Sequence, residues 1–283
     1  IGSSLVGSEM CIRDSLHLAG DPENAKKLID TGVTGIAYET VTASDGSMPL
    51  LAPMSTIAGQ LAIIVGSYHL LKHNKGKGVM IGKLDNIEPR VVTVIGAGVA
   101  GTQSISKALD NNAFVKVLDT KKSKLQKLES EFGSNNIEYI LSTSDSVQSA
   151  INESDMVIGS VYVVGKEAPK VVFKDMLKSM SPGTVMVDVS IDQGGCFETS
   201  RPTTHDNPTF VENDIVHYCV TNMPGAVPLT ATQALNKVTL KYIEDLANKG
   251  VENALTEDEH LRNGLNIQNG EITHPAVRDA LNN

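Results

Sequence analysis

The chain has few aromatic residues and few cysteines. It contains no tryptophan, and aromatic residues make up 4% of its 283 residues. Valine, isoleucine, leucine and alanine must therefore fill the core, as is common where parallel strands are buried on both faces. The three cysteines, Cys11, Cys196 and Cys219, show no CxxC spacing, which predicts neither a disulfide framework nor a metal site. A reducing cytoplasm is the expected location.

Basic residues and long apolar runs are also scarce. Lysine and arginine number 24 against 33 acidic residues, which gives a formal net charge of −9. A phosphate backbone requires clustered basic residues in its partner, so we expect no nucleic-acid partner. No apolar stretch reaches the roughly 18 residues of a membrane-spanning helix, so we expect no membrane partner. At roughly 150 residues per domain, the length predicts two domains.

The first fifteen residues differ from the rest of the chain. Residues 1–15 (IGSSLVGSEMCIRDS) show neither a hydrophobic period nor a helix cap. We expect this segment to be non-native, such as a junction or a gene-model scar.

From Leu16 onward, short apolar segments alternate with amphipathic ones. Strands are predicted at residues 91–95, 114–118, 156–159, 185–189 and 215–220. Helices are predicted near residues 99–109, 123–132, 145–152 and 174–180, with longer ones at 53–74 and 228–249. Such alternation is typical of right-handed βαβ units and a parallel sheet. The predicted fold class is therefore α/β, with a doubly wound parallel sheet in residues 50–227 and an incomplete second α/β domain formed by residues 16–49 and 228–283.

One strand runs directly into a glycine-rich turn. Residues 91–95 are followed by Gly96, Gly98 and Gly101 in the spacing GxGxxG, and a helix follows. In a dinucleotide-binding Rossmann turn, the first glycine allows the tight bend. The second lets the backbone approach a pyrophosphate, and the third lets helix and strand pack closely. The helix N-terminus then presents N–H groups and a positive dipole to the phosphates.

An acidic residue ends the next predicted strand. Asp119 follows Gly101 at close to the roughly 20 residues expected of a ribose-binding acid. Its carboxylate favours NAD over NADP, because it would repel a 2′-phosphate, although Lys121, Lys122 and Lys124 lie nearby. The pattern predicts dinucleotide binding. A methyltransferase site and a regulatory NAD sensor are other uses of the same fold.

Several further segments resemble the alanine dehydrogenase and proton-translocating transhydrogenase family. They are residues 16–19 (LHLA), 36–41 (IAYETV), 49–55 (PLLAPMS), 187–198 (VDVSIDQGGCFE), 200–204 (SRPTT) and 222–224 (NMP). The segments at 187–198 and 200–204 resemble the alanine dehydrogenases more than the transhydrogenase subunits. The resemblance implies NAD-dependent oxidative deamination of L-alanine to pyruvate and ammonium. It also implies that residues 16–49 and 228–283 form the substrate domain, and that the chain forms a homo-oligomer, a hexamer in the family.

The resemblance also implies roles for individual residues. His17 would do acid–base work on the substrate, which suits a group that titrates near neutrality. Asp192 would lie beside the nicotinamide and stabilise the cationic iminium form of the substrate. Other matching positions would line the dinucleotide: Ser55, Val99, Ala100, Asp119, Lys124, Ser142, Val161, Tyr162, Val189, Ser190, Ile191, Arg201, Val220, Thr221, Asn222 and Met223. The alternatives without a functional role are a structural His17, a turn-capping Asp192 and a solvated Arg201.

The chain departs from the family pattern before Leu16. In the family, an arginine and a lysine upstream of the LHLA histidine hold the substrate carboxylate, and we do not transfer that role to Arg13. We therefore expect an N-terminally truncated chain that binds NAD but has impaired turnover, since each charge-assisted hydrogen bond contributes roughly 1.5–3 kcal/mol. Two alternatives stay open. One is another enzyme, the NAD-binding subunit of transhydrogenase or a saccharopine-type dehydrogenase. The other is a non-catalytic NAD-binding module.

Overall fold

The computed structural model describes residues 11–14, 16, 18, 22–163 and 167–281. The chain divides into two compact units. The smaller unit comprises residues 1–54, 163–167 and 227–283, and the larger unit comprises residues 55–162 and 168–226. No helix of the described part of the chain is long and apolar enough to cross a lipid bilayer.

Strands and helices alternate along the chain. The strands are β1 (Cys11–Asp14), β2 (Thr34–Ala37), β3 (Val91–Ile95), β4 (Phe114–Asp119), β5 (Ile137–Leu141), β6 (Met156–Gly159), β7 (Val185–Asp188), β8 (Thr209–Glu212), β9 (Ile215–Tyr218), β10 (Leu265–Gln268) and β11 (Glu271–Ile272). The helices are α1 (Pro22–Asp30), α2 (Ala52–His69), α3 (Val99–Asp110), α4 (Lys122–Phe132), α5 (Ser144–Asn152), α6 (Pro228–Lys249), α7 (Val251–Glu257), α8 (Glu259–Arg262) and α9 (Pro275–Leu281).

The larger unit is built on a seven-stranded sheet in the order β5-β4-β3-β6-β7-β9-β8. All neighbouring strands pair in parallel except β8, which is antiparallel to β9. The strand order reverses between β3 and β6, which is the switch point of a doubly wound sheet. The predicted α/β fold class is therefore confirmed.

The core of the larger unit lies on strands that are apolar at nearly every position. Every residue of β6 and β7 is buried, because helices cover both faces of a doubly wound sheet. Phe197 is the largest fully buried side chain, and it packs in one cluster with Val157 and Met186. This packing fixes the ends of the central strands, where the candidate site lies.

The smaller unit contains a four-stranded sheet in the order β1-β2-β10-β11. Strand β1 is parallel to β2, whereas β10 is antiparallel to both β2 and β11. Leu18, Ala25 and Ile267 pack on this sheet in one apolar cluster. The pairing of β1 shows where residues 11–14 lie but not where they come from, so the non-native origin of residues 1–15 stays a prediction.

Four predicted elements end earlier than expected. The strand predicted for residues 185–189 ends at Asp188. The helix predicted for residues 53–74 ends at His69, and a 3₁₀ turn follows at Lys72–Asn74. The helix predicted near residues 174–180 is a 3₁₀ helix, Lys174–Ser179. The strand predicted for residues 215–220 ends at Tyr218.

Candidate functional site

The glycine-rich turn connects β3 to α3, and its three glycines meet three different surroundings. Gly96 has a φ of +105°, a conformation that L side chains rarely adopt. A Cβ added at Gly98 would meet nothing within 4 Å. A Cβ at Gly101 would overlap the carbonyl oxygen of Gly96 and lie 2.8 Å from Ser160 Oγ. These environments match the bend, the open approach and the close packing that the motif predicts.

The turn is held from two sides. Ser160, just after β6, donates its hydroxyl to the carbonyl oxygens of Gly96 at 2.9 Å and Ile95 at 3.1 Å. On the other side, Ser104 Oγ of α3 donates to the carbonyl oxygen of Gly59 in α2 at 2.8 Å. The N-cap residue of α3 is Gly98, which has no side chain with which to cap the first turn. Because a helix N-terminus carries partial positive charge, this end of α3 suits an anionic group.

Asp119 lies at the end of β4 with 8% of its surface exposed. Its Oδ2 accepts a hydrogen bond from the Ala97 N–H at 2.9 Å, and its Oδ1 accepts one from the Lys121 N–H at 2.8 Å. Lys124 Nζ lies 3.6 Å from Oδ2. Each carboxylate oxygen can accept a further hydrogen bond, so the group beside the glycine-rich turn can also receive two hydroxyl groups.

The loops after β6, β7 and β9 meet through hydrogen bonds. Ser190 Oγ donates to the carbonyl oxygen of Val161 at 2.8 Å. The Asn222 N–H donates to both carboxylate oxygens of Asp192, at 3.1 and 3.3 Å. The structure therefore brings together Val161, Ser190, Asp192 and Asn222, which come from three separate segments of the sequence. Because these strands are parallel, their carboxyl ends share one edge with the glycine-rich turn, where such sheets bind ligands.

Asp188 is a buried carboxylate that is not among the site residues predicted from the sequence. It has no exposed surface. Its oxygens accept hydrogen bonds from the N–H groups of Ser190, Cys196 and Phe197 and from the hydroxyl of Ser200. Burial raises the pKa of Asp188, and the hydrogen bonds from Ser200, Phe197 and Cys196 oppose the shift. A charged residue at the end of an otherwise apolar strand was the signal available in the sequence, because buried charges require partners.

Arg201 is held against an aromatic pair. Its guanidinium carbon lies 4.2 Å from the centre of the Phe210 ring. That ring stacks on His217 with 4.9 Å between ring centres and an interplanar angle of 15°. His217 Nδ1 lies 3.1 Å from the Ile215 carbonyl oxygen, so Nδ1 carries the proton and Nε2 accepts from the Thr199 hydroxyl at 2.8 Å. Burial lowers the pKa of His217, which keeps the ring neutral.

The remaining predicted positions that the structure describes fall into three groups, and His17 stands apart from them. Those at the carboxyl ends of strands are Ser142, Tyr162, Val189, Ile191, Val220, Thr221 and Met223. Val99 and Ala100 begin α3. Ser55 lies in the first turn of α2 and makes no hydrogen bond to these loops among the residues that the structure describes. His17 lies outside the described residues.

The buried thiols are not nucleophiles in this structure. Burial raises the pKa of Cys196 well above its usual range and that of Cys219 to about 12, so both remain protonated at neutral pH. Within the described ranges, no group of three or more His, Cys, Asp or Glu residues could hold a metal ion.

The strand order, the glycine-rich turn and the acid at the end of the second strand together define a Rossmann-type dinucleotide-binding fold. The chain matches the family models for the N-terminal domain of alanine dehydrogenase/PNT at residues 4–58 and for its C-terminal domain at residues 62–275. The chain belongs to the alanine dehydrogenase/PNT family, which confirms the resemblance noted in the sequence.

Individual relatives agree with the family models. An alanine dehydrogenase of Halomonas elongata is 48% identical over 265 residues, which cover 94% of this chain and 71% of that protein. The alanine dehydrogenase of Mycobacterium tuberculosis is 46% identical over 262 residues, 93% of this chain and 70% of that protein.

Solved structures give the same result. An L-alanine dehydrogenase structure superposes with a TM-score of 0.89 at 43% identity, covering 97% of this chain and 75% of that one. A transhydrogenase from Sinorhizobium meliloti has a TM-score of 0.77 at 20% identity, covering 93% of this chain and 75% of that one, which shows a shared fold.

Proposed function

We propose that this chain catalyses the NAD-dependent oxidative deamination of L-alanine to pyruvate and ammonium, and the reverse reductive amination. The observation that carries the proposal is the meeting of Asp192 and Asn222 at the sheet edge that also bears the glycine-rich turn. Membership in the family and relatives named alanine dehydrogenase support the choice of substrate.

The residues of the turn fit a dinucleotide. The space in front of Gly98 is open, whereas Gly101 is closed against Gly96, so a ligand has room at one glycine and helix packing uses the other. Gly96, Gly98 and Gly101, with the first turn of α3, would hold the pyrophosphate, and Asp119 would hold a ribose. The remaining proposed contacts are Ser55, Val99, Ala100, Lys124, Ser142, Val161, Tyr162, Val189, Ser190, Ile191, Arg201, Val220, Thr221, Asn222 and Met223.

When bound, NAD supplies the hydride acceptor for the alanine Cα. The chain must then manage charge and protons around the substrate. Asp192 would stabilise the cationic iminium form of alanine, and its orientation is set by the Asn222 N–H at 3.1 Å. His17 would remove and return protons at the substrate.

Assembly and location complete the proposal. We propose a homo-oligomer, a hexamer as in the family, acting in the cytoplasm. Support for the first comes from the resemblance, and support for the second from the sparse cysteines.

The test is a single titration followed by a reaction in the same cuvette. NADH binding is followed by fluorescence, then pyruvate and ammonium are added and absorbance is recorded. Binding followed by oxidation supports the proposal, and an Asp192→Asn variant should then lose turnover while NADH binding is largely kept. Binding without oxidation would favour the non-catalytic NAD-binding module. Activity with saccharopine instead of alanine, or reduction of an NADP analogue, would favour the other enzymes of this fold.

A further inference from the structure

The loop that carries Asp192 is organised around Asp188. Asp188 Oδ1 accepts the Ser190 N–H at 3.0 Å, and Oδ2 accepts the Cys196 N–H at 2.9 Å and the Phe197 N–H at 3.3 Å. The Ser200 hydroxyl donates to Oδ2 at 2.5 Å. One carboxylate thus holds both ends of the segment from Ser190 to Ser200, which contains Asp192.

Asp188 also reaches the other two loops of the site. Ser200 precedes Arg201, and Cys219 Sγ lies 3.7 Å from Ser200 Oγ. Cys219 begins the segment that ends at Asn222, whose N–H contacts Asp192. The segments that carry Asp192, Arg201 and Asn222 are therefore linked by hydrogen bonds that run from Asp188 through Ser200 to Cys219.

The partners of Asp188 are neutral. Throughout the described part of the chain, no lysine, arginine or histidine lies within ion-pair distance of its carboxylate. Hydrogen bonds from neutral donors are directional, so this carboxylate constrains geometry rather than balancing charge. Three of these donors are backbone N–H groups. A buried carboxylate that they hold suits a positioning role, because losing one of these bonds would leave a buried N–H unsatisfied.

Lys170 holds the same loop from the outside. Its Nζ donates to the carbonyl oxygens of Gly194 at 2.5 Å and Gly195 at 2.7 Å. Both glycines have positive φ, +83° and +75°, so the chain reverses directly after Asp192. The reversal is fixed by Asp188 inside and by Lys170 outside.

We infer that Asp188 is a positioning residue. Its carboxylate, with Lys170 on the outer side of the loop, fixes the backbone of the segments that bear Asp192, Arg201 and Asn222 and so sets the geometry in which they meet dinucleotide and substrate. The inference rests on the proposed function for what those segments bind. A purely structural role would instead confine the effect of Asp188 to stability.

Asp188→Asn tests the inference, with Asp155→Asn as its matched control. Asparagine offers one acceptor oxygen and turns an N–H₂ group toward backbone N–H donors. We expect Asp188→Asn to weaken NADH binding by at least about tenfold, which corresponds to about 1.4 kcal/mol, and to lower kcat with alanine more than it raises KM. Asp155 is also buried, with 8% of its surface exposed, but it lies just before β6, at the amino ends of the strands. Its variant should lose stability and keep its NADH affinity.

Hydrogen exchange supplies a readout that does not need turnover. In Asp188→Asn, the peptide containing Asn222 should exchange faster than in the wild type. If Asp188→Asn fails to fold, Lys170→Ala is measured against Lys178→Ala, another exposed lysine with a hydrogen-bonded partner. Lys170→Ala alone should weaken NADH binding and quicken exchange near Asn222.

Three outcomes would overturn the inference. These are unchanged NADH affinity in the folded Asp188→Asn variant, unchanged exchange near Asn222, or equal effects in the test and control variants. An inactive wild type that binds NADH would defeat the proposed function. The comparisons of NADH affinity and hydrogen exchange would still decide the inference about Asp188. If the wild type does not bind NADH, exchange near Asn222 alone decides it.

Discussion

Two buried aspartates lie at opposite ends of the strands of the seven-stranded sheet, and their surroundings differ. We call the side of the sheet where the strands begin the amino edge and the side where they end the carboxyl edge. At the amino edge, Asp155 just before β6 pairs with Lys77 at 2.9 Å and accepts the Val91 N–H at 3.1 Å. At the carboxyl edge, Asp188 is surrounded by neutral donors. The comparison teaches that an ion pair suffices where strands need only be tied together. Directional hydrogen bonds are used where loops must present side chains to a ligand.

The largest expected effect tests the amino edge. Lys77→Met leaves the buried Asp155 carboxylate without its cation, and losing one partner of a buried pair costs about 3–5 kcal/mol. The free energy of unfolding of the larger unit, measured by chemical denaturation, should fall by that order while NADH affinity stays within about twofold of wild type. A large loss of affinity with stability intact would contradict the division between edges.

The control for that change is Lys178→Met. Lys178 pairs with Asp175 on the surface, and exposed pairs contribute about 0–1 kcal/mol. The control should therefore leave both measurements nearly unchanged.

Two glycine substitutions should separate stability from binding. Gly98→Ala adds a methyl group into open space at the carboxyl edge, so stability should hold while NADH affinity falls about tenfold or more, equivalent to about 1.4 kcal/mol. Gly183→Ala acts near the amino edge. The φ of Gly183 is +80°, and a Cβ there would lie 2.7 Å from the backbone nitrogen of Lys77. It should cost roughly 1–2 kcal/mol of stability through strain and leave affinity unchanged. The reverse pattern would show that the edges are not specialised.

The pH dependence of stability should sharpen the account of the Arg201 stack. Burial lowers the pKa of His217 from its usual 6.5, so the unfolded chain gains a proton that the folded chain resists as pH falls through about 6.5. The free energy of unfolding should therefore decrease from pH 7.5 to 5.5, with His69 and His274 acting in the same direction. Asp188, whose pKa burial raises, acts in the opposite direction.

A variant isolates the contribution of His217. His217→Gln should show a smaller decrease in unfolding free energy over the same pH range, measured by denaturation in matched buffers. Equal decreases in the wild type and the variant would mean that His217 is not held neutral by its surroundings.

The smallest expected effect concerns Phe210. Phe210→Leu keeps apolar volume but removes the ring between Arg201 and His217. A cation–π contact at an exposed site contributes about 0.5–1 kcal/mol, so NADH affinity should fall only severalfold if Arg201 lines the dinucleotide. Phe173→Leu, at an exposed phenylalanine of the same unit, should leave affinity unchanged, and equal effects of the two would place Arg201 outside the site.

Local patterns were readable from the sequence, whereas contacts made around loops were not. The glycine-rich turn, Asp119 and the bounds of α6 follow from spacing within a short stretch, and the structure places these elements as expected. Strands β5 and β8 were missed. Both are outermost strands of the sheet, and their half-exposed side chains weaken the apolar pattern.

The hydrogen bonds of Asp188 could not be read from spacing either. Its partners Cys196 and Ser200 are brought back by a chain reversal at Gly194 and Gly195. Two adjacent glycines predict a turn but not which atom the returning chain will meet. The roles of His17 and Asp192 in catalysis stay predictions.

The most direct test of the site assignment is hydrogen exchange of the wild-type chain with and without NADH. The account predicts slower exchange at the carboxyl edge, in peptides covering residues 96–101, 189–192 and 219–222. It predicts no change at the amino edge, in peptides covering residues 76–78, 153–155 and 181–184. Protection at the amino edge, or NADH binding that leaves the carboxyl edge unprotected, would contradict the assignment.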